Sequence, residues 1–459
     1  MNPNPGTTEN SDFGWLGIVR LGLVQAALGA MVVLTTSTLN RVMVVELALP
    51  ALLPGLLVAL HYAVQLMRPR MGFGSDVGGR RTPWIVGGLV VLALGAIGAA
   101  ASTAWMASTP SAGIAAAFVC FGVVGLGVSA AGTNTLVLLA KRVPEGRRAA
   151  AATIVWMMMI FGFAFTAGIA GKLLEPYSPA RLVAVMAAVC AVAFVIALIA
   201  LRGLEGRARR DDEIAEPAPP PFRQALAQVW AEPEARHFTV FIFVSMLAFS
   251  AQDLILEPFA GTVFGWTPGQ TTQLSGLQHG GVLMGMLLVA VAGSGLLGRL
   301  GQGLGSLRAW TVGGCAASAL ALAGLVAAGA VGPAWPLAAN VFLLGAANGA
   351  FSIAAIGSMM SLVARGRQRR EGVRMGLWGA AQAIAFGCGG LVGTGASDLA
   401  RWLIGSPAAA YATVFALEAL LFVWSARLAL RLRNVPMATP AQDNPVPFTA
   451  PTVALAETR

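Results

Sequence analysis

The sequence predicts an all-α polytopic membrane protein, with twelve transmembrane helices in two pseudo-symmetric six-helix halves. Three observations predict it. The chain has 459 residues, of which 57% are hydrophobic and only 11% charged, a balance that a soluble domain of this length does not show. Apolar stretches long enough to cross a bilayer recur twelve times. The longest polar interior stretch falls between the sixth and the seventh of them, at 203–236.

The apolar spans lie near 17–40, 53–71, 84–105, 111–140, 148–170, 179–202, 237–260, 273–297, 307–329, 335–363, 373–396 and 408–431. Residues 1–16 carry acids but no Lys or Arg before Arg20. That is not the basic start of a cleaved signal peptide, so the first span reads as a retained anchor. The N-terminal half is 17–202 and the C-terminal half 237–433. The linker between them, GLEGRARRDDEIAEPAPPPFRQALAQVWAEPEAR, has charges of both signs and a proline run at Pro219–Pro221. Within it, Gln224 to Trp230 is expected to form a short amphipathic helix on the membrane surface. The tail 434–459, rich in Pro, Ala and Thr, is expected to be disordered.

The net charge of +10 is nearly all arginine. In a soluble protein it would suggest nucleic acid; here the charges sit in loops, so topology explains them and no nucleic-acid partner is expected. One set of loops holds Arg68, Arg70, Arg80 and Arg81, then Lys141, Arg142, Arg147 and Arg148, then Arg202, Arg207, Arg209 and Arg210, then Arg299 and Arg308, then Arg365, Arg367, Arg369 and Arg370. The other set holds Arg41, Lys172, Arg181 and Arg401. The richer set faces the cytoplasm by the positive-inside rule, which puts both termini inside and the protein in a bacterial inner membrane. Cys120, Cys190, Cys315 and Cys388 each lie in an apolar helix with no C-x-x-C pair, so no disulfide framework or metal site is implied.

The halves are weakly alike. His61 and His279 differ by 218 positions, as do Arg81 and Arg299, which aligns the second and eighth spans. In that alignment Ser294 takes the place of Asp76. Glu46 and Glu257 differ by 211, aligning the ends of the first and seventh spans.

Polar groups inside a membrane are expensive, so each is a site candidate. Arg41 and Glu46 lie in TLNRVMVVEL near the far end of the first span. Five residues apart, they are off one α-helical face and are expected to take different partners. Asp253 and Glu257 lie in SAQDLILEPF, spaced i, i+4, so their carboxylates share a face; Gln252 precedes them. Pro258 frees a backbone carbonyl one turn earlier. Three carboxylates, Glu46, Asp253 and Glu257, are expected to converge between the halves with Arg41 in reach. Gln382 lies in WGAAQAIAFG, a small-residue stretch that permits close packing, with Trp156 as its counterpart in the fifth span. Glu418 stands alone in an apolar run, with no partner in view. His61 and His279 can each bond a backbone carbonyl or, as neutral imidazoles, ligate the magnesium of a chlorin. No phosphate loop, nucleophile triad or metal-ligand cluster is present, so neither an enzyme nor a catalytic cofactor is expected.

The loop GFGSDVGGRRTP reads G-x-x-x-D-x-x-G-R-R, through Gly72, Asp76, Gly79, Arg80 and Arg81. It resembles the loop between helices two and three of major facilitator transporters, with Val77 where a basic residue often stands. The resemblance implies a gating motif in which Asp76 caps a neighbouring helix. TLNRVMVVEL, SAQDLILEPFAG and GLWGAAQAIAFG extend the resemblance to the PucC/LhaA family, also called the bacteriochlorophyll delivery family, over about residues 15–433. Its charged positions fall here on Arg41, Glu46, Gln252, Asp253 and Glu257. The compact SDVGGRRTPW, where PucC and LhaA carry a longer insertion, is closer to the bacteriochlorophyll-synthesis-cluster member. The resemblance implies an assembly factor for light-harvesting complexes in the intracytoplasmic membrane, with bacteriochlorophyll or a related tetrapyrrole as cargo. It also implies antenna subunits and pigment-synthesis enzymes as partners. The rival is a proton-coupled secondary transporter of a small lipophilic solute, with Asp253 or Glu257 as proton carrier.

Overall fold

The computed structural model describes residues 13–68, 71, 80–205, 230–293, 306–365 and 371–432. Gly72, Asp76 and Gly79 of the loop motif, the expected surface helix apart from Trp230, and the tail lie outside them. Twelve apolar helices make up the described chain: α1 Trp15–Glu46, α2 Leu52–Met67, α3 Thr82–Met106, α4 Pro110–Arg142, α5 Glu145–Leu173, α6 Pro179–Leu201, α7 Pro233–Phe264, α8 Pro268–Gly293, α9 Leu307–Val331, α10 Leu337–Arg365, α11 Glu371–Ile404 and α12 Pro407–Leu430. Eleven are long and apolar enough to cross a bilayer, and α2 is a shorter apolar helix. The protein is an integral membrane protein.

Local chemistry explains the ends. Prolines open α4, α6, α7, α8 and α12, where a missing N–H is harmless. Ser178 and Ser306 cap α6 and α9, accepting from Arg181 N at 3.2 Å and Ala309 N at 3.3 Å. Because Pro233 starts α7, that helix begins four residues before the expected 237, inside the expected linker. Likewise α1 runs to Glu46 rather than ending near residue 40.

One apolar core fills each half, around Leu21, Leu92 and Phe121 in the first and Phe241, Phe351 and Phe422 in the second. A smaller cluster, with Ile160, Val282 and Met286, joins α5 to α8 and α10. Outward faces carry Leu94, Val119, Ile199, Leu320 and Trp402, all exposed, as lipid contact requires. The backbones of α8 and α10 touch: a Cβ on Gly285 would run into the carbonyl of Ala346, and one on Gly349 into that of Val282. Only glycine permits that approach, the small-residue packing typical of membranes. The halves meet along α2–α11 and α5–α8.

Glu205, just beyond α6, ties the first half together on the side of the chain ends. Its carboxylate accepts the backbone N–H of Arg81 and, at 2.7 Å, that of Thr82, so it caps α3 from the segment that follows α6. Burial works to raise its pKa. Hydrogen bonds from the Thr82 side chain and the two N–H groups, with the charge of Arg80, outweigh burial and hold it below the ordinary value. A carboxyl depressed in the fold stabilises above its unfolded pKa and loses that contribution as pH falls through the folded one. Glu205→Ala is therefore expected to lower stability by about 1 kcal/mol near neutral pH. The gap to wild type should close in acid below 4.5, the ordinary value. Melts in detergent at about pH 7 and about pH 4 measure it; a gap that widens in acid contradicts the cap.

Candidate ligand-binding site at the seam between the halves

The far end of α1 is not a plain α-helix. It breaks at Ser37, resumes over Thr38–Arg41, and closes as a π-helix over Val42–Glu46. A π-turn bonds i to i+5, as Leu47 N to Val42 O does at 3.0 Å. It therefore stacks residue 46 over residue 41. Arg41 Nη1 and Glu46 Oε1 form a salt bridge, correcting the expectation that the two would need different partners. That expectation assumed 3.6 residues per turn.

Arg41 is 2% exposed. Its Nη2 donates across the seam to the carbonyl of Trp266 at 2.7 Å. Gly265, at φ 68°, ends α7 and turns the chain that presents this carbonyl. Gly261 on α7 packs against the guanidinium, where a Cβ would stand 3.0 Å from Nη2 and force Arg41 to shift.

Next to Arg41, Glu257 is buried and accepts from Ser37 Oγ, with Thr271 and Ser275 of α8 alongside. Ser37 Oγ also lies 3.1 Å from Ser275 Oγ, and Thr38 Oγ1 lies 2.9 Å from Thr272 Oγ1. Pro258 leaves the carbonyl of Leu254 without its helical N–H, and Asn40 Nδ2 of the other half donates to it. Asp253, one turn from Glu257, takes Gln278 instead, which donates to Oδ1 at 3.1 Å. The structure thus gathers Glu46 and Glu257 on Arg41 and places Asp253 one turn nearer the chain-end side. Gln252 does not join them: it points into the core of the second half.

Below this polar latch the seam turns aromatic and sulfur-rich. Tyr62 and Phe386 rings lie 5.6 Å apart, Phe249 and Phe386 5.9 Å, and Phe163 and His279 5.1 Å. Gln382 Nε2 sits 4.0 Å from Met246 Sδ, and Gln25 Nε2 donates to Met159 Sδ at 3.3 Å. The histidines differ chemically. His279 Nδ1 donates to the carbonyl of Ser275 at 2.8 Å, which leaves its Nε2 lone pair available. His61 spends its Nε2 lone pair on the Gln65 amide at 2.9 Å and is buried against α4.

Two carboxylates clasp the far side. Asp398 on α11 accepts the N–H groups of Ala51 at 3.0 Å and Leu52 at 2.7 Å, capping α2 from the other half. Glu175, after α5, accepts from the Thr267 hydroxyl at the start of α8. Thr267 and Gln270 form a reciprocal capping box there, at 2.9 and 3.2 Å. The first clasp ties α11 to α2 and the second ties the end of α5 to α8.

A family model described as PUCC protein matches residues 38–436, a span that opens on the latch residue Thr38. The chain belongs to that family. Among relatives, the bacteriochlorophyll synthase 44.5 kDa chain of Rhodobacter capsulatus is 52% identical over 416 residues, covering 91% of this chain and 95% of that one. Protein PucC of the same organism is 30% identical, covering 90% and 92%. Protein PucC of Cereibacter sphaeroides is 30% identical, covering 88% of each. Solved structures fix the fold as that of the major facilitator superfamily. A D-xylose–proton symporter superposes with TM-score 0.67 at 15% identity, covering 92% of this chain and 98% of its own. A peptide transporter does so at 0.66 and 14%, covering 92% and 95%.

In this PUCC-family chain, sequence reasoning singled out the charged members of the latch and missed Ser37, Thr38, Asn40, Thr272, Ser275, Gln278, Asp398 and Glu175. Hydroxyl and small polar residues in apolar helices read as packing residues. A usable signal was the freed carbonyl before Pro258, which demands a donor. Asp398→Ala is expected to loosen the far side by roughly 1–3 kcal/mol, a 5–150-fold shift between open and closed forms. Labelling of a cysteine placed at Thr38, in a chain lacking its native cysteines, measures it; unchanged labelling from the far side contradicts the clasp.

Proposed function

We propose that this chain is an assembly factor for light-harvesting complexes, which binds bacteriochlorophyll at the seam and passes it, or the antenna subunit that receives it, onward. The observation that carries the reading is the seam itself: a buried acid latch closes one side, over a surface of aromatic rings and methionines suited to a flat apolar macrocycle. Membership of the PUCC family, and relatives named for bacteriochlorophyll synthase and PucC, support the pigment as cargo. Glu257 or Asp253 would bond a pigment carbonyl, with Gln382 as a second polar contact. His279, which retains an imidazole lone pair, would be the magnesium ligand in preference to His61. Antenna subunits and pigment-synthesis enzymes would be partners. The arginine asymmetry supports an inner-membrane location with both termini in the cytoplasm. The chain is read as a carrier, not a catalyst, because its fold is shared with transporters.

The test is an absorption spectrum of the full chain purified in mild detergent from a phototrophic host. Bacteriochlorophyll should co-purify, and a chain bearing Glu257→Ala and His279→Leu should lose it. A colourless protein, together with antenna levels unaffected by deleting the gene, sinks the proposal. The second reading, proton-coupled transport of a small lipophilic solute, is favoured by the two acids on α7 and the likeness in fold to a proton symporter. It predicts solute-dependent proton uptake in vesicles and no pigment.

A further inference from the structure

A second polar cluster lies away from the seam, inside the core of the C-terminal half. Four helices contribute polar residues at one level of the stripes that face this core. On α7, Gln252 lies in line with Phe241, Ala248 and Phe259. On α9, Ser318 lies among Cys315, Leu322 and Leu325. On α10, Asn348 lies among Val341, Leu344, Phe351 and Ala355, and on α12, Glu418 lies among Tyr411, Phe415 and Phe422. Gln252, Ser318 and Asn348 are 0% exposed and Glu418 is 2% exposed.

Packing puts the four at one depth. Ser318 Oγ and Asn348 Oδ1 are 2.8 Å apart. The rings of Phe351 and Phe422 meet at 5.6 Å, and α10 and α12 run parallel, so Asn348 and Glu418 sit about one turn along from that contact, on the same side of it. Phe259 meets Phe415 at 5.1 Å and Tyr411 at 5.6 Å. Because α7 is antiparallel to α12, two turns back along α7 from Phe259 brings Gln252 level with Glu418 and Phe422.

The unused bonding capacity is complementary. Both amide atoms of Gln252, the Nδ2 of Asn348 and both oxygens of Glu418 are buried with no partner among the described residues. The described residues on these facing stripes include no Lys, Arg or His. Arg401 stacks on Tyr411 at 4.7 Å, two turns of α12 from Glu418. Asp253, beside Gln252 in sequence, takes Gln278 on the seam side instead. An isolated carboxylate is not tolerated in such a place, whereas a neutral acid flanked by two amides is a site that water can bridge.

We propose that Gln252, Asn348 and Glu418, with Ser318, form a second binding site, enclosed within the C-terminal half, for a proton and bridging water, in which Glu418 is the neutral acid. The site is independent of the pigment reading. Infrared spectra of the purified full chain at neutral pH should show a protonated-carboxyl band that persists in a D253N/E257Q chain and disappears in E418Q. Q252L and N348L should each shift that band. They carry the test if E418Q does not accumulate, since the acid remains in place. A chain without the band, or a band that none of these three substitutions removes or shifts, overturns the proposal. Melting that depends on sodium, with no protonated-carboxyl band, assigns the site to a metal cation and also overturns it.

Discussion

Replacing Arg41 by alanine is expected to lower both the amount of chain in membranes and its melting temperature. Its guanidinium is 2% exposed and neutralises Glu46 while lying within electrostatic range of Glu257. Glu46 keeps 35% of its side chain exposed, so the ion pair itself contributes about 1 kcal/mol or less; the larger part of the loss, about 1–3 kcal/mol, comes from leaving the buried groups around Arg41, Glu257 among them, without the guanidinium. The same change breaks the bond to the Trp266 carbonyl, so the seam loses a direct link between the halves. Arg41→Lys should rescue poorly, because a single ammonium does not span both partners as a planar fork does. Adding Glu257→Gln to Arg41→Ala should restore part of the loss by removing one stranded acid. Membrane abundance and melting temperature in detergent measure all three. An Arg41→Ala chain as abundant and as heat-stable as wild type would remove the latch from the account of stability.

The second large effect concerns Glu257 and separates the two functional readings. Its carboxyl is held by Ser37 of one half and flanked by Thr271 and Ser275 of the other. If Glu257 acts as a neutral hydrogen-bond donor to a pigment carbonyl, Glu257→Gln keeps a donor of similar shape and should sustain antenna assembly. Glu257→Ala should lose it by about tenfold or more, the effect of roughly 1.4 kcal/mol of binding. If Glu257 carries a proton through a transport cycle, both substitutions should fail, since an amide does not titrate. Antenna absorbance per cell, normalised to the amount of chain in the membrane, distinguishes these outcomes. Full antenna levels in the Glu257→Ala chain would exclude the residue from either mechanism.

Much of the architecture was legible in the residues because a bilayer leaves the chain few choices. Twelve apolar runs form helices where no water satisfies the backbone. The i, i+4 spacing of Asp253 and Glu257 and the carbonyl freed by Pro258 are local consequences of α-geometry, so both could be stated in advance. The Arg41–Glu46 pair could not. Its five-residue spacing fits no α-helix, and the π-turn that reconciles it accompanies tertiary contacts: Gly261 admits the guanidinium and the Trp266 carbonyl receives it.

By itself, then, the sequence determined the class of fold and the run of apolar spans. Tertiary structure decided the pairings. Glu257 meets Ser37 across 220 positions, and Asp398 caps α2 across more than 340. The physical reason is the same in each case. In a low-dielectric interior a polar group must take whichever partner the packing of helices brings within about 3 Å, and that partner is chosen by the docking of two halves rather than by anything nearby in the chain.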